Sequence, residues 1–555
     1  MIHPRSAEEP LVAALELFPR IMAGVYGGEE DLRAEILSTG RSAFEGPAPR
    51  GLGVEEDQDD LFSSLLSEWL HFTGPVPRSY VRATLGCDAG RLDVALADLL
   101  DNGDLISGNL VSHSDEEYVC DSGNFEMLLR LNRLESRPAF TALDIRELPL
   151  FVAAFQGVAK AGTGLEALEE RMEQLVCYTA PAEMWECDIL PGRLKLYEPA
   201  WLDTLIQSGE LSWLGSEKEQ VTFCYKPDLL LLAKENGGAS GDVAESEDPG
   251  IEDLFADPRA RYDFSTLFLV SNLTPSQLAE KLWKAVWQGR VTNDGFLCLR
   301  RGIETGFKMP LSIPETRRMR RRSPVPMPGN WQVLSIPVPD ADLVEREERN
   351  KERARLLLDR YGLVFKELLQ NESPPFRWSS VFRALRLMEL SGEVMTGYFF
   401  EGIPGPQFIS HEAFRMLGKR LPEDVVYWMS AMDPGSLCGI PLEGLKGTLP
   451  RRVPGTHLVY HGSRPVLVSQ RNGSTLTFHV PPDDSHMDEY LGVLHHLLNR
   501  KFRPVRRIVV ETINEETASG SPYLDSLRRS FDVSAGHRKV TLYRKSSDER
   551  NRIPG

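Results

Sequence analysis

No uninterrupted apolar run in these 555 residues approaches the ~18–20 that a membrane span needs, so no membrane partner is expected. The opening "MIHPRSAEEPLVAALELFPR" has a short apolar stretch, but acidic flanks and no clear cleavage site argue against secretion. Cysteine is scarce: seven, far apart, with no CxxC spacing and no histidine company of the metal-binding kind. That excludes a disulfide framework and a zinc knuckle, and leaves free thiols in a reducing cytoplasm as the expectation. A phosphate-cradling GxxxxGK[ST] loop is missing, so ATP hydrolysis is not expected. A GxSxG elbow and a Gly-rich dinucleotide fingerprint are missing too, and no cofactor is expected.

Positive charge is the minority, with 63 Lys and Arg against 81 Asp and Glu and a formal net charge of -18. What remains is ordinary globular material, 41% hydrophobic, with enough chain for roughly three to five domains. The charge is unevenly spread. Residues 1–60 hold 13 acidic and 5 basic side chains, whereas residues 301–330 hold 7 basic and 2 acidic. The stretch "TRRMRRRSPVPMPGNW" (316–331) puts five arginines into six positions, and "RKFRPVRR" (500–507) is a second basic knot. Local field rather than total charge decides whether a polyanion docks, so such a chain would engage one through defined strips.

Between the linkers one pattern recurs: an amphipathic helix closes on a glycine, one polar residue follows, and an apolar β-like run departs. It appears as "DVALADLLDNGDLISG" around Gly103, "EPAWLDTLIQSGELSWL" around Gly209, "QLAEKLWKAVWQGRVTND" around Gly289 and "VFRALRLMELSGEVMTGYF" around Gly392. Each glycine suits the left-handed position that ends a helix. Thr274-Pro275-Ser276-Gln277 reads as a capping box with proline at the first helical position, and Glu198-Pro199 begins a helix similarly. Upstream of Gly103, Leu61, Phe62, Leu65, Leu66, Trp69 and Leu70 form one helical stripe. Helix, helix, turn, longer helix and hairpin make a winged helix-turn-helix, and four in register imply a tandem array.

From about residue 422 the chain changes to short alternating strands with turn signals such as Arg471-Asn472-Gly473, plus one helix, "SHMDEYLGVLHHLLNR". The expected class is α+β, tandem winged helix-turn-helix modules followed by a C-terminal β-barrel-like domain. The expected boundaries are an acidic N-terminal segment 1–56, winged helix 1 at 57–123, and a helical connector with winged helix 2 at 124–234. An acidic flexible linker 235–250 then precedes winged helix 3 at 251–305. An Arg- and Pro-rich connector 306–347, winged helix 4 at 348–421, the barrel-like domain 422–545 and a tail 546–555 complete the chain. His495 and His496 are adjacent on a helix and point ~100° apart, so they cannot chelate one metal from one face. "HMDEY" upstream makes a metal cluster conceivable, but a half-buried helix explains these histidines better, and no metal site is expected.

Several stretches carry a family likeness: "AEMWECDILPGRL" (182–194), "YEPAWLDTLIQSGEL" (197–211), "LWKAVWQGRVTND" (282–294), "LLLDRYGLV" (356–364), "GYFFEGIPGPQF" (397–408) and "SAMDPGSLCG" (430–439). In this order, together with "RRMRRRSPVPMPGNW", they resemble the C-terminal region of the bacterial long helicase-related proteins, Lhr, over about residues 57–545. The resemblance implies tandem winged helices ending in a β-barrel and a homo-oligomer, with a homotetramer as the family's suggestion. It also implies a bacterial cytoplasmic, nucleoid-associated location. Similarity to the AlkZ-type DNA glycosylases implies binding of single- or double-stranded DNA and removal of uracil or of alkylated or crosslinked bases. A separately encoded or fused helicase motor would be the partner. The alternative is a non-catalytic DNA- or partner-binding and oligomerisation platform.

The glutamine-apolar-glutamine motif of AlkZ falls on Cys177-Tyr178-Thr179, so its catalytic residues do not carry over. Gln156 and Gln174 lie nearby in sequence, but an isolated glutamine is usually a surface or capping residue. Base excision needs a flipped nucleotide, a pocket and a carboxylate or carboxamide. Asp433, in an Asp-Pro element like one preceding the AlkZ barrel, and Asp294, where the third wing begins, are the catalytic expectations. Each competes with a turn role, because Asp before Pro and Thr-Asn-Asp after a helix commonly build turns. The expected DNA contacts are Arg317, Arg318, Arg320, Arg321 and Arg322, with Arg377, Ser379, Ser380 and Arg383 at the fourth recognition helix. Arg290 and Asn293 at the third wing, and Arg91 in the first recognition helix, complete the set. Guanidinium groups grip phosphate bidentately, and a proline-rich tail would keep the strip extended. A salt-bridge strip clasping the acidic segments is the competing explanation. Reversing the five strip arginines to Glu is expected to lower DNA affinity sharply and flatten its salt dependence in an anisotropy titration; unchanged binding would remove the strip from the interface.

Overall fold

The computed structural model describes residues 1–4, 7, 9–27, 32–37, 39, 41–46, 58–135, 140–233, 251–309, 327–334 and 342–545. The arginine strip 317–322 and the acidic linker 235–250 lie outside the described residues. The chain divides into two compact units, Met1–Ala139 and Phe140–Gly555. It is a mixed α+β protein with winged-helix domains.

Four small antiparallel sheets share one topology, with the first strand, then the third, then the second. They are Val76–Pro77/Tyr118–Asp121/Leu105–Gly108 and Thr179–Pro181/Gln220–Tyr225/Leu211–Glu217. The other two are Tyr262–Asp263/Asn330–Val333/Val291–Asn293 and Leu363–Val364/Gln407–Ser410/Val394–Gly397. In each module the wing hairpin returns its last strand to the middle. The glycine punctuation has the expected cause: Gly103, Gly209, Gly289 and Gly392 sit at φ +78, +86, +70 and +82, and each precedes its strand by two residues. Thr274 and Gln277 form a reciprocal capping box on helix Pro275–Trp287.

In the first unit the N-terminal residues are built into the module. Sheet Ile2–His3/Leu32–Ile36/Arg41–Gly46 and helix Phe18–Gly24 share one core with Phe62, Leu66, Leu70, Val81 and Leu96. The Tyr26 hydroxyl donates to the Leu85 carbonyl at 2.6 Å.

The second unit pairs its modules. Trp213 and Phe223 of the second module share a core with Trp283, Phe296 and Trp331 of the third. The fourth packs on the connector helix Leu148–Phe155 and on Tyr427 and Tyr460. The expected end of the third module needs correction here. The third module does not end at residue 305. Its central strand is Asn330–Val333, so helix Phe296–Thr305 and the arginine strip are inserted within the wing rather than joining two modules. The C-terminal strands do not close into a barrel among the described residues. Six of them form an open sheet with edges Val426–Ser430 and Glu516–Thr517, and three more form a separate sheet. Closure would require the first and last strands to pair. Instead the chain leaves Thr475–Phe478 for helices Met487–Tyr490 and Gly492–Asn499, and Leu494 and Leu497 join the core beneath Val466 and Leu476. Residues 508–517 return split between the two sheets.

Gly215 fixes the approach of modules two and three, since a Cβ there would stand 2.2 Å from the Val286 carbonyl oxygen. Backbone cannot move aside as a side chain can, so Gly215→Ala is expected to cost at least about 2 kcal/mol, read as a lowered urea midpoint.

Candidate nucleic-acid interface

The modules have the same topology but different surface chemistry. On the first recognition helix, Ala89–Asp101, the exposed positions include Asp93, Asp98 and Asp101. Arg91 is spent inward, on Asp59 and on the carbonyls of Gly24 and Gln58. This removes it as a DNA contact. On the fourth, Trp378–Ser391, the exposed N-terminal positions are Arg377, Ser379 and Arg383. Arg377 is tethered by a long bond to the Glu372 carbonyl, and Arg383 meets Glu347 at 3.3 Å. The Ser380 hydroxyl donates to the Pro374 carbonyl, which pins the turn before the helix. An exposed positive helix start is the geometry that reads a polyanion.

At the third wing Asn293 is buried, and its Oδ1 accepts from the Gly295 N–H at 2.9 Å. Asp294 accepts from the Asn330 backbone N–H and side chain at 2.7 and 2.9 Å, and from Arg261 at 3.5 Å. Both therefore hold the wing turn, as Asx-type side chains do. They also line a pocket of about 350 Å³ with Arg261 and Lys226. Half-buried Arg290 donates to Gln288 at 3.3 Å.

The most consequential element is one that sequence reasoning passes over. Residues 182–193 run as one helix, with Trp185–Ile189 forming a π turn. Three of its charged side chains are buried: Glu186, Asp188 and Arg193. Arg193 makes a two-pronged pair with Asp433 at 2.7 and 2.8 Å and donates to Gln156 at 2.6 Å. Gln156 in turn donates to the Arg360 carbonyl, and Arg360 pairs with Glu372 at 2.6 Å. Glu186 takes Arg300 of the third module and the Tyr197 hydroxyl. Asp188 faces His457 at 3.2 Å and Arg500 at 3.5 Å. Burial alone would raise the Asp188 carboxyl, but His457, His496 and Arg500 around it hold it below the usual range.

Asp433 is held in structural bonds. It is 1% exposed, and both oxygens are engaged, Oδ1 also accepting from the Gly435 N–H. Gln174 bonds the carbonyls of Phe155 and Asp359. Cys177, Tyr178 and all seven thiols are buried.

Beside this helix lies a pocket of about 670 Å³ whose cations are Lys160, Lys195, Arg500 and Lys501. None of the described residues lining it is a carboxylate. Trp428 and His496 meet at its wall with centroids 4.4 Å apart and rings tilted by 30°, and the Asn499 carboxamide lines it. His496 also bonds the Cys187 carbonyl at 2.6 Å, while His495 stacks on Phe531. The two histidines therefore have separate tasks, as their ~100° separation required. A neighbouring pocket of about 980 Å³ mixes Glu170, Glu173, Asp359 and Glu412 with Lys160, Arg171, Arg415 and Lys419. At the first pocket Arg500 is paired with Asp188 at 3.5 Å and Lys501 with Glu198 at 2.9 Å, so its positive character rests chiefly on Lys160 and Lys195.

Four such sheets define a tandem winged-helix protein. Models for the winged-helix domain of the large helicase-related proteins match residues 144–226 and 344–428, and the chain carries domains of that kind. A Mycolicibacterium smegmatis protein named Lhr helicase/probable uracil glycosylase is 25% identical over 493 residues, 82% of this chain and 32% of its own length. The Escherichia coli Lhr helicase/uracil glycosylase is 26% identical over 416 residues, 68% of this chain and 26% of its own. The chain spans a third or less of the length of these curated relatives. The Streptomyces sahachiroi DNA glycosylase AlkZ aligns at 12% identity and a TM-score of 0.37, covering 64% of this chain and 97% of that one, a likeness too loose to build on.

Arg193→Met leaves a buried carboxylate without its counter-charge and is expected to destabilise the protein by about 3–5 kcal/mol in urea unfolding. Asp433→Asn should likewise lower the urea midpoint; reduced base release with an unmoved midpoint would overturn the structural role.

Proposed function

We propose that the chain is a DNA-binding repair protein of the Lhr C-terminal type. It releases a damaged base, uracil or an alkylated or crosslinked one, in company with a fused or separate helicase motor. The observation that carries this reading is the pocket in which Lys160 and Lys195 lie beside Trp428 and His496, with no carboxylate among its described lining residues. An extruded nucleotide needs cations for its phosphates and a flat ring to stack on. Arg377, Ser379 and Arg383 hold the backbone from the fourth recognition helix, and the arginine strip, carried on the third wing, adds phosphate contacts. Asn499 is the carboxamide available in the pocket to position water or steady the developing oxocarbenium ion.

The second reading, a non-catalytic platform for a helicase, is favoured by one specific observation: Asp433 and Asp294 are both occupied by structural bonds. The two separate in one assay. End-labelled DNA bearing uracil, an alkylated base or an interstrand crosslink is incubated without ATP and cleaved by alkali at abasic sites. Product that falls at least about tenfold in Asn499→Ala, with affinity weakened by Lys160→Glu plus Lys195→Glu, supports the glycosylase. Tight, salt-sensitive binding with no product assigns the platform, and no binding overturns both.

A further inference from the structure

Three residues distant in sequence converge at one edge of the C-terminal sheet. Asp424 precedes strand Val426–Ser430, His461 ends strand His457–His461, and His486 precedes helix Met487–Tyr490. Their ligand atoms all lie within 4.8 Å of one another. The His461 Nδ1 lies 2.8 Å from the Tyr490 hydroxyl, and its Nε2 faces Asp424 Oδ1 at 3.1 Å. The His486 Nδ1 is 3.1 Å from Glu489 Oε1. The two rings stand 4.7 Å apart. Two imidazoles and a carboxylate converge, a donor set suited to a borderline divalent cation.

We propose that Asp424, His461 and His486 bind a divalent first-row transition metal, zinc being the natural occupant of a two-imidazole, one-carboxylate set. The anchoring of both Nδ1 atoms, one by a tyrosine hydroxyl and one by a carboxylate, is the outer-shell arrangement that orients metal-binding histidines. Tetrahedral ligation at ~2.0–2.1 Å brings ligand atoms to about 3.4 Å, so the set must contract slightly. Asp424, 92% exposed, and His486, 37% exposed, are able to move, whereas His461 is held. Gly462 fixes the geometry: its N–H donates to Val425 at 2.8 Å, and a Cβ there would meet the Glu423 carbonyl at 2.4 Å. The metal would tie the β hairpin tip, the edge strand and the helix start together, and it leaves a fourth position for water. The site is separate from the cationic pocket and does not depend on the DNA reading.

The test is a titration of untagged, chelator-treated full-length protein with Co²⁺, followed by Zn²⁺ competition. One equivalent of Co²⁺ is expected, giving visible ligand-field bands without thiolate charge-transfer absorption and displaced by Zn²⁺. His486→Ala and Asp424→Asn, both at exposed positions, should each weaken binding at least about tenfold, while His495→Gln leaves it unchanged. Absence of stoichiometric binding, bands characteristic of thiolate ligation, or wild-type affinity in His486→Ala would overturn the site. His461→Gln should abolish binding, but the two exposed variants decide the matter, their folding checked by circular dichroism.

Discussion

The second unit depends on how the 182–193 helix disposes of its charge. Buried Glu186, Asp188 and Arg193 must each find a counter-charge, because an unpaired ion in the interior costs several kcal/mol. Each finds it on a different element: Arg300 in the third module, His457 and Arg500 in the C-terminal domain, and Asp433 ahead of its second strand. Apolar contacts tolerate a small slide of one module against another, whereas a two-pronged guanidinium–carboxylate pair does not. Glu186 and Asp188, two residues apart, lie on nearly opposite sides of the helix and so meet different partners. Packing supplies the bulk of the cohesion, and these pairs supply the register.

That rigid frame lets repeated modules diverge. The same three-stranded sheet presents an acidic recognition helix in the first module and an arginine-bearing one in the fourth. The third module accepts a helix and the arginine strip within its wing, because its central strand Asn330–Val333 still returns to pair on both sides. On the proposed function, nucleic-acid reading therefore need not be shared among the modules. An acidic chain can confine it to a few positive surfaces while the rest of the molecule repels polyanions.

Much of the local architecture is legible in the chain itself. The glycine-closed helices, the capping box at Thr274 and the turn at Asn472-Gly473 follow from backbone sterics and hydrogen bonding within a few residues, and all appear where the chain's punctuation puts them. The site is less legible. Arg377, Ser379 and Arg383 can be found because a helix start near a predicted turn is a local feature. The pairing of Asp433 is not legible, because its partner, Arg193, lies 240 residues away and no spacing rule connects them. Lys160, Lys195, Trp428 and Asn499 each look like an ordinary surface or strand residue until the fold assembles them around one pocket.

The sequence by itself determined the repeating winged-helix pattern, the placement of helix ends and the concentration of positive charge into strips. These are set by the 3.6-residue and two-residue periods and by glycine, proline and capping chemistry, all short-range. Only the tertiary structure decided which charges are buried, that the described C-terminal strands form an open sheet, that helix Phe296–Thr305 falls between two strands of a wing, and that Asp424, His461 and His486 meet. Those outcomes depend on which distant surfaces come together, and on desolvation, which acts on a side chain only once its neighbours have excluded water.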